Sequence, residues 1–204
     1  MKTEVALDKL NTLLPLAERQ RNLKPEYRDK HRYILNELLS SGKAPSEING
    51  SILKVLEKND LIVLDENNTI VGAYPFSLRS TAHHISHNNI NIFAMCAFDA
   101  IAIAPVFNVK INVTSQCYVT QEKIEIKQDK KQLLNANPSE DIHIGIRWQS
   151  PGSCSADSLC MEMIFLKDAG IAKHWQGGNE NFSIFPLDTA IDFATRYFKP
   201  LLGE

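Results

Sequence analysis

Between His87 and Lys110 the chain carries a single charged residue, Asp99. It sits in an otherwise apolar run, Ile92 to Phe107, that any fold must place inside. Cys96 lies three positions before it, and residues three apart share a face of a helix. Residues 97–104 read as a short buried helix that stops before Pro105, because the residue preceding a proline disfavours the helical conformation. Burial raises a carboxyl pKa and makes Asp99 a proton donor near neutral pH. A thiolate is a nucleophile and a ligand for soft metals. A further thiol, Cys160, lies in a different segment. Two thiols and one acid suit a site that grips a soft metal and delivers a proton beside it.

The 204 residues are enough for one large or two small domains. A net charge of −2 gives no general attraction to nucleic acid or to an anionic membrane. No segment is long and apolar enough to span a bilayer. The start, Met1-Lys2-Thr3-Glu4-Val5-Ala6-Leu7-Asp8, lacks the apolar stretch and cleavage site of a signal peptide. A cytoplasmic protein is expected, whose four cysteines are free, catalytic or metal-binding rather than disulfide-paired.

The layout predicts an α+β fold with two domains. Residues 1–75 read as a winged-helix-like helical domain. Helical spacing covers 4–21, with a break at Pro15, and 26–40, with Tyr33, Ile34, Leu38 and Leu39 inward and Ser41-Gly42 as the stop. Pro45 to Ile48 opens a short helix, Ser51 to Lys58 forms another, and the strands Leu61 to Leu64 and Thr69 to Tyr74 flank a turn. This is the arrangement of a DNA reader, but its charge is not. Eleven Lys and Arg in residues 1–75 are balanced by eleven Asp and Glu, so no basic footprint is present. A structural lid over the second half is the favoured role. Residues 76–204 read as a small, mostly antiparallel sheet domain with flanking helices. Its predicted strands are Leu78 to Ile85, Ile90 to Met95, Val109 to Thr114, Lys123 to Lys127 and Ile142 to Arg147, and Met161 to Leu166 reads as a further strand, with a helix as the alternative. Asp188 to Leu202 forms a terminal amphipathic helix.

Each candidate has a bland reading beside its chemical one. Cys96 is placed at a helix N-terminus, which lowers a thiol pKa; a lone cysteine is more often a small buried hydrophobe. Asp99 in an apolar helix is either paired or functional, since leaving it unpaired is costly. Cys160 alone would be a core residue more often than a ligand. Cys154, six residues earlier, is a third thiol or a bystander, and Cys117 reads as structural. His83 and His87 would share a strand face with His84 between them, which makes a zinc or nickel site conceivable, although such a cluster beside a polar turn is more often solvated.

Over residues 69–119 the chain resembles the alkylmercury lyases of bacterial mercury resistance. The resemblance is carried by Ile70-Val71-Gly72, Ser77-Leu78-Arg79-Ser80-Thr81, Phe93-Ala94-Met95-Cys96-Ala97-Phe98-Asp99 and Val113-Thr114-Ser115-Gln116-Cys117, and more weakly by the stretch from Ser158-Leu159-Cys160 to Trp175. It implies protonolysis of a carbon–mercury bond, with a catalytic set of Cys96, Asp99 and Cys160. Cys96 and Cys160 would hold mercury transiently, with Asp99 as an additional ligand. No cofactor is implied; Hg(II) is the bound product. Its acceptors would be cellular thiols or a mercuric reductase. Neither specific nucleic acid nor a membrane is implied as a partner. The chain departs from the family at Met95, where Trp is common, at Leu159, where Phe is common, and at Met161, where a second cysteine often stands. Glu162, Met163 and Ile164 replace a His-rich strand. The rival reading is a non-enzymatic, thiol-based metal-binding or regulatory protein on the same scaffold, which would need the cysteines but not Asp99.

Overall fold

The apolar run becomes a helix enclosed on every side, and two antiparallel sheets and the remaining helices are arranged around it. The structure is a computed structural model that describes residues 1–152 and 154–203; Glu204, the end of the second expected domain, lies outside them. Four helices lead: α1 (Thr3–Leu13), α2 (Leu16–Arg21), α3 (Pro25–Ser41) and α4 (Gly50–Lys58). Pro15 separates the first two, since its ring cannot continue a helix. Gly42 ends α3 in the left-handed conformation, φ 69°, and its N–H donates to the Leu38 carbonyl. Asn49 caps α4 by accepting from the Ser51 N–H at 2.8 Å.

The rest of the chain runs β1 (Val63–Leu64), β2 (Ile70–Ala73), β3 (Phe76–Ser77), β4 (His84–His87), β5 (Ile90–Ala94), α5 (Ala97–Phe107), β6 (Lys110–Gln116), β7 (Lys123–Asp129), β8 (Gln132–Asn137), β9 (His143–Arg147), β10 (Met163–Leu166), α6 (Ala169–Gln176), β11 (Phe182–Pro186) and α7 (Leu187–Phe198). Eight strands form one sheet in the order β1-β2-β3-β5-β4-β6-β7-β8, and three form a second in the order β10-β9-β11. Every pairing is antiparallel. The fold is thus mixed α and β with antiparallel sheets, as the sequence predicts. The larger sheet takes in the β1–β2 hairpin of the N-terminal part.

Apart from Asp99, helix α5 is apolar on every face, and it is buried from Ala97 to Val106, as a helix without a polar face must be. Helix α7 packs across it through Phe193, whose ring lies 4.7 Å from that of Phe98. The first and last helices are joined by Arg196, which grips Glu4 with two hydrogen bonds of 2.6 and 2.7 Å, and by the Tyr197 hydroxyl, which donates to the Leu14 carbonyl. Among the described residues no helix is long and apolar enough to cross a membrane.

Several elements differ from the sequence reading. Helix α5 does not stop before Pro105 but runs through it to Phe107. Proline has no N–H for the Ile101 carbonyl four residues back; Gln128 Nε2, from β7, donates to that carbonyl instead at 3.2 Å. Residues 78–83 are not strand. Ser77 Oγ closes onto the backbone of Arg79, and Thr81 Oγ1 donates to the Ala94 carbonyl at 2.7 Å and accepts from the His83 N–H, so side chains take the place of ladder bonds. Residues 45–48 are not helical; four residues are too few to repay helix nucleation. Leu61 and Ile62 are buried but precede the strand. Tyr33 faces outward beneath the Lys30 ammonium, while His31 takes an inward place on α3. Strands β8 and β11 and helix α6 have no counterpart in the sequence reading. The terminal helix ends at Phe198, and a 3-10 turn carries the chain on to Leu202.

Candidate active site

Cys96 is the residue on which α5 begins. Its backbone is extended, and its sulfur accepts the Asp99 N–H at 3.4 Å as the helix cap. The same thiol donates to Asp99 Oδ2 at 2.8 Å. The i, i+3 spacing alone makes this contact, since one helical turn returns Asp99 beneath the cap. Cys160 comes from elsewhere. It opens the 3-10 turn Cys160–Glu162 that leads into β10, and its N–H donates to the Ser155 carbonyl at 3.0 Å. The fold brings the sulfurs of Cys96 and Cys160 and a carboxylate oxygen of Asp99 within 4.8 Å of one another, all three residues buried. Among the described residues this is the one cluster of three such side chains with metal-ligand spacing.

The electrostatics follow from burial. Asp99 is 1% exposed, and desolvation lifts its pKa from 3.8 to about 7, although hydrogen bonds from Cys96 and Cys160 favour the anion. Burial pushes the Cys96 thiol well above the ordinary range, and neighbouring Cys160 and Asp99 push it the same way. The expectation that the helix N-terminus would lower this pKa is therefore corrected: loss of water outweighs the helix dipole. For Cys160 the approach of Cys96 acts downward, but burial and the Asp99 charge prevail and its pKa is raised. Both thiols are neutral at rest, and Asp99 is poised between its two forms near neutrality.

A cavity of about 350 Å³ is lined in part by Cys96 and Cys160, and Asp99, hydrogen-bonded to Cys96, is not among its lining residues. Met95, Met163 and Phe165 are among the residues of its apolar wall, and Arg79, paired with Asp157 at 3.5 Å, stands at its rim. His83 also lines it, hydrogen-bonded through Nδ1 to Ser115 Oγ at 2.9 Å; burial holds its pKa down at about 4, so the ring is neutral. The three histidines form no metal cluster. His84 packs on Phe93, and His87 Nδ1 meets the Lys110 carbonyl at 2.7 Å. Cys154 is half-buried and outside the three-residue cluster, and Cys117 is fully buried at the end of β6. All four cysteines are free thiols.

Two further residues, Tyr74 and Asp60, contribute to the site beyond the sequence reading. The Tyr74 phenol lies beside Cys160 and lowers its pKa, and its oxygen is otherwise buried without a partner. A hydroxyl ending an apolar strand needs a partner, which was the available signal. Asp60 accepts from Arg19 Nη1 at 3.3 Å and from Ser155 Oγ, and so fastens the loop that carries Cys160 to α2. Nothing local in the sequence marks that tie.

The sequence pattern of the family described as "MerB: Alkylmercury lyase" matches residues 76–199. The chain is 23% identical to the alkylmercury lyase of Bacillus cereus over 162 residues, which is 78% of this chain and 72% of that protein. The alkylmercury lyase of Clostridium butyricum matches equally. Among solved structures, the mercury-bound form of MerB2 superposes with a TM-score of 0.76 at 22% identity, covering 93% of this chain and 98% of that one. At that identity the superposition speaks for the fold, and the sequence match over more than half the chain speaks for descent: the chain belongs to the alkylmercury lyase family.

Proposed function

We propose that the protein is an organomercurial lyase that cleaves carbon–mercury bonds by protonolysis, with Cys96, Asp99 and Cys160 as its catalytic residues. The observation that carries this is a buried acid with a pKa near 7 touching one of two thiols that can share a single mercury. Mercury is soft, and thiolates are its natural protein ligands. The substrate arrives as an organomercury cation on a small thiolate. Cys96 displaces that thiolate, and its proton passes through Asp99 to the departing thiol. Cys160 then adds its sulfur to mercury and weakens the bond to carbon. Its proton passes to Asp99 and from there to carbon. A hydrocarbon leaves, and Hg(II) remains on the two sulfurs. Two thiol protons are spent, one on the departing thiol and one on carbon, so the step needs no redox partner. Outside thiols then extract the Hg(II), either cellular thiols or a mercuric reductase.

Residues 1–75 serve in this reading as a winged-helix-like cover for the catalytic part, residues 76–204, in a cytoplasmic enzyme. The helices α3 and α4 followed by the β1–β2 hairpin support the comparison, and the balanced charge of this region argues against specific DNA binding. The deciding experiment is anaerobic incubation with phenylmercury and excess thiol. Benzene is expected, with one Hg(II) per turnover. Tight capture of phenylmercury with no benzene released would make the protein a binder and not a lyase.

A further inference from the structure

Three methionines stand near the two cysteines of the site: Met95, Met161 and Met163. All three line the cavity that also touches Cys96 and Cys160, and they are three of the chain's four methionines. Met161 stands at the mouth, 64% exposed, while Met95 and Met163 are buried, at 8% and 3%. The cavity measures about 350 Å³, whereas an apolar cavity of roughly 150 Å³ is enough to take up benzene. There is room here for two fused rings. Methionine is unbranched, has three rotatable bonds and makes favourable sulfur contacts with aromatic rings, so a wall built from it yields to large groups of differing shape. Phe165, also on the wall, adds an aromatic partner.

Met95 directly precedes Cys96, and both residues line the cavity. The end of its side chain is received by Gly72: a Cβ there would come within 2.6 Å of the Met95 terminal methyl and 3.1 Å of the Phe76 carbonyl oxygen. That niche is narrow and partly walled by backbone. A bulkier, rigid side chain at position 95 cannot fold into it and must project into the cavity.

We propose that this protein is shaped for mercurials bearing a bulky aryl group, and that Met95 sets the size limit. The proposal rests on the lyase reading above. The probes are naphthylmercury and methylmercury chlorides, with naphthalene and methane measured by gas chromatography. For the wild type, kcat/KM toward naphthylmercury is expected to equal or exceed that toward methylmercury. In Met95→Trp the naphthyl-to-methyl ratio is expected to fall about tenfold or more, the scale on which pocket shape discriminates between substrates. Met95→Phe, a milder change that guards against misfolding of the first variant, is expected to lower the ratio by less. A ratio that neither substitution moves overturns the proposal, as does a wild type that releases methane but no naphthalene. Failure to release either hydrocarbon would instead overturn the lyase reading itself.

Discussion

Asp99 is held where its own charge is unwelcome. It is almost wholly buried, and its Oδ1 has no hydrogen-bond partner. That placement sets its pKa near 7, where an acid can both take a proton from a thiol and return one to carbon. The same shift has a stability consequence of definite sign. The folded state holds this proton more tightly than the unfolded chain, so the contribution is full below about pH 4 and is lost as pH rises through 7. Asp99→Asn is therefore expected to be less sensitive to pH, and to gain on the wild type in urea unfolding at pH 8 relative to pH 5. It is also expected to lose hydrocarbon release by about 10²–10⁴-fold while still binding Hg(II) through both sulfurs. Parallel loss of stability with pH in both proteins would place the titration elsewhere.

Individual elements carry polar groups whose partners lie on other elements. The Gln128 amide replaces the N–H that Pro105 lacks and also donates to the Lys130 carbonyl at 3.0 Å. Gln128→Leu removes both bonds and strands the Ile101 carbonyl inside the core. A loss of about 1–3 kcal/mol is expected, read from the urea midpoint at unchanged slope. His31 of α3 is bonded to Gln20 of α2 at 2.7 Å and to the Leu61 carbonyl at 3.2 Å. The Gln20 amide donates to Nδ1, so Nε2 carries the proton and faces the carbonyl. Burial holds this ring neutral, with its pKa lowered from 6.5 to about 4. Its contribution is present above pH 6.5 and is lost as pH falls through 4. His31→Gln is expected to flatten the acid side of the stability profile over that window. An unchanged acid slope, followed by melting temperature against pH, would assign the effect to another group.

At the scale of the whole molecule, Asp60 joins the N-terminal helices to the loop that presents Cys160. Arg19 and Ser155 converge on one of its oxygens, and the Ser155 carbonyl in turn receives the Cys160 N–H. Asp60 has φ 57°, a left-handed conformation that asparagine also tolerates, so Asp60→Asn removes the charge without straining the turn. With the loop loosened, Cys160 should meet mercury less often. Hydrocarbon release is expected to slow by about tenfold or more, since small misplacements at a reacting centre are costly. Single-turnover measurements would separate this from capture by Cys96, which does not depend on the loop. An equal loss in both steps would mean that the substitution disturbs the cavity as a whole.

What the sequence determined by itself is local. The Cys96–Asp99 contact needs only one helical turn, the break at Pro15 and the stop at Gly42 need only their own backbones, and the family signature lies in contiguous residues. The pairing of Cys96 with Cys160 belongs to tertiary structure. Across 64 positions no local rule fixes a distance, and a loop fastened by Asp60 decides it. The thiol pKa values likewise depend on the surroundings. A helix N-terminus is worth about 0.3–1 kcal/mol, whereas full burial moves a pKa by up to about 3–5 units, so enclosure by α7 and both sheets reverses the sign that local reasoning assigns. Pro105 illustrates the same division. Its missing N–H is written in the chain, but whether the helix ends there depends on the Gln128 amide, which the folding of β7 brings to the open carbonyl.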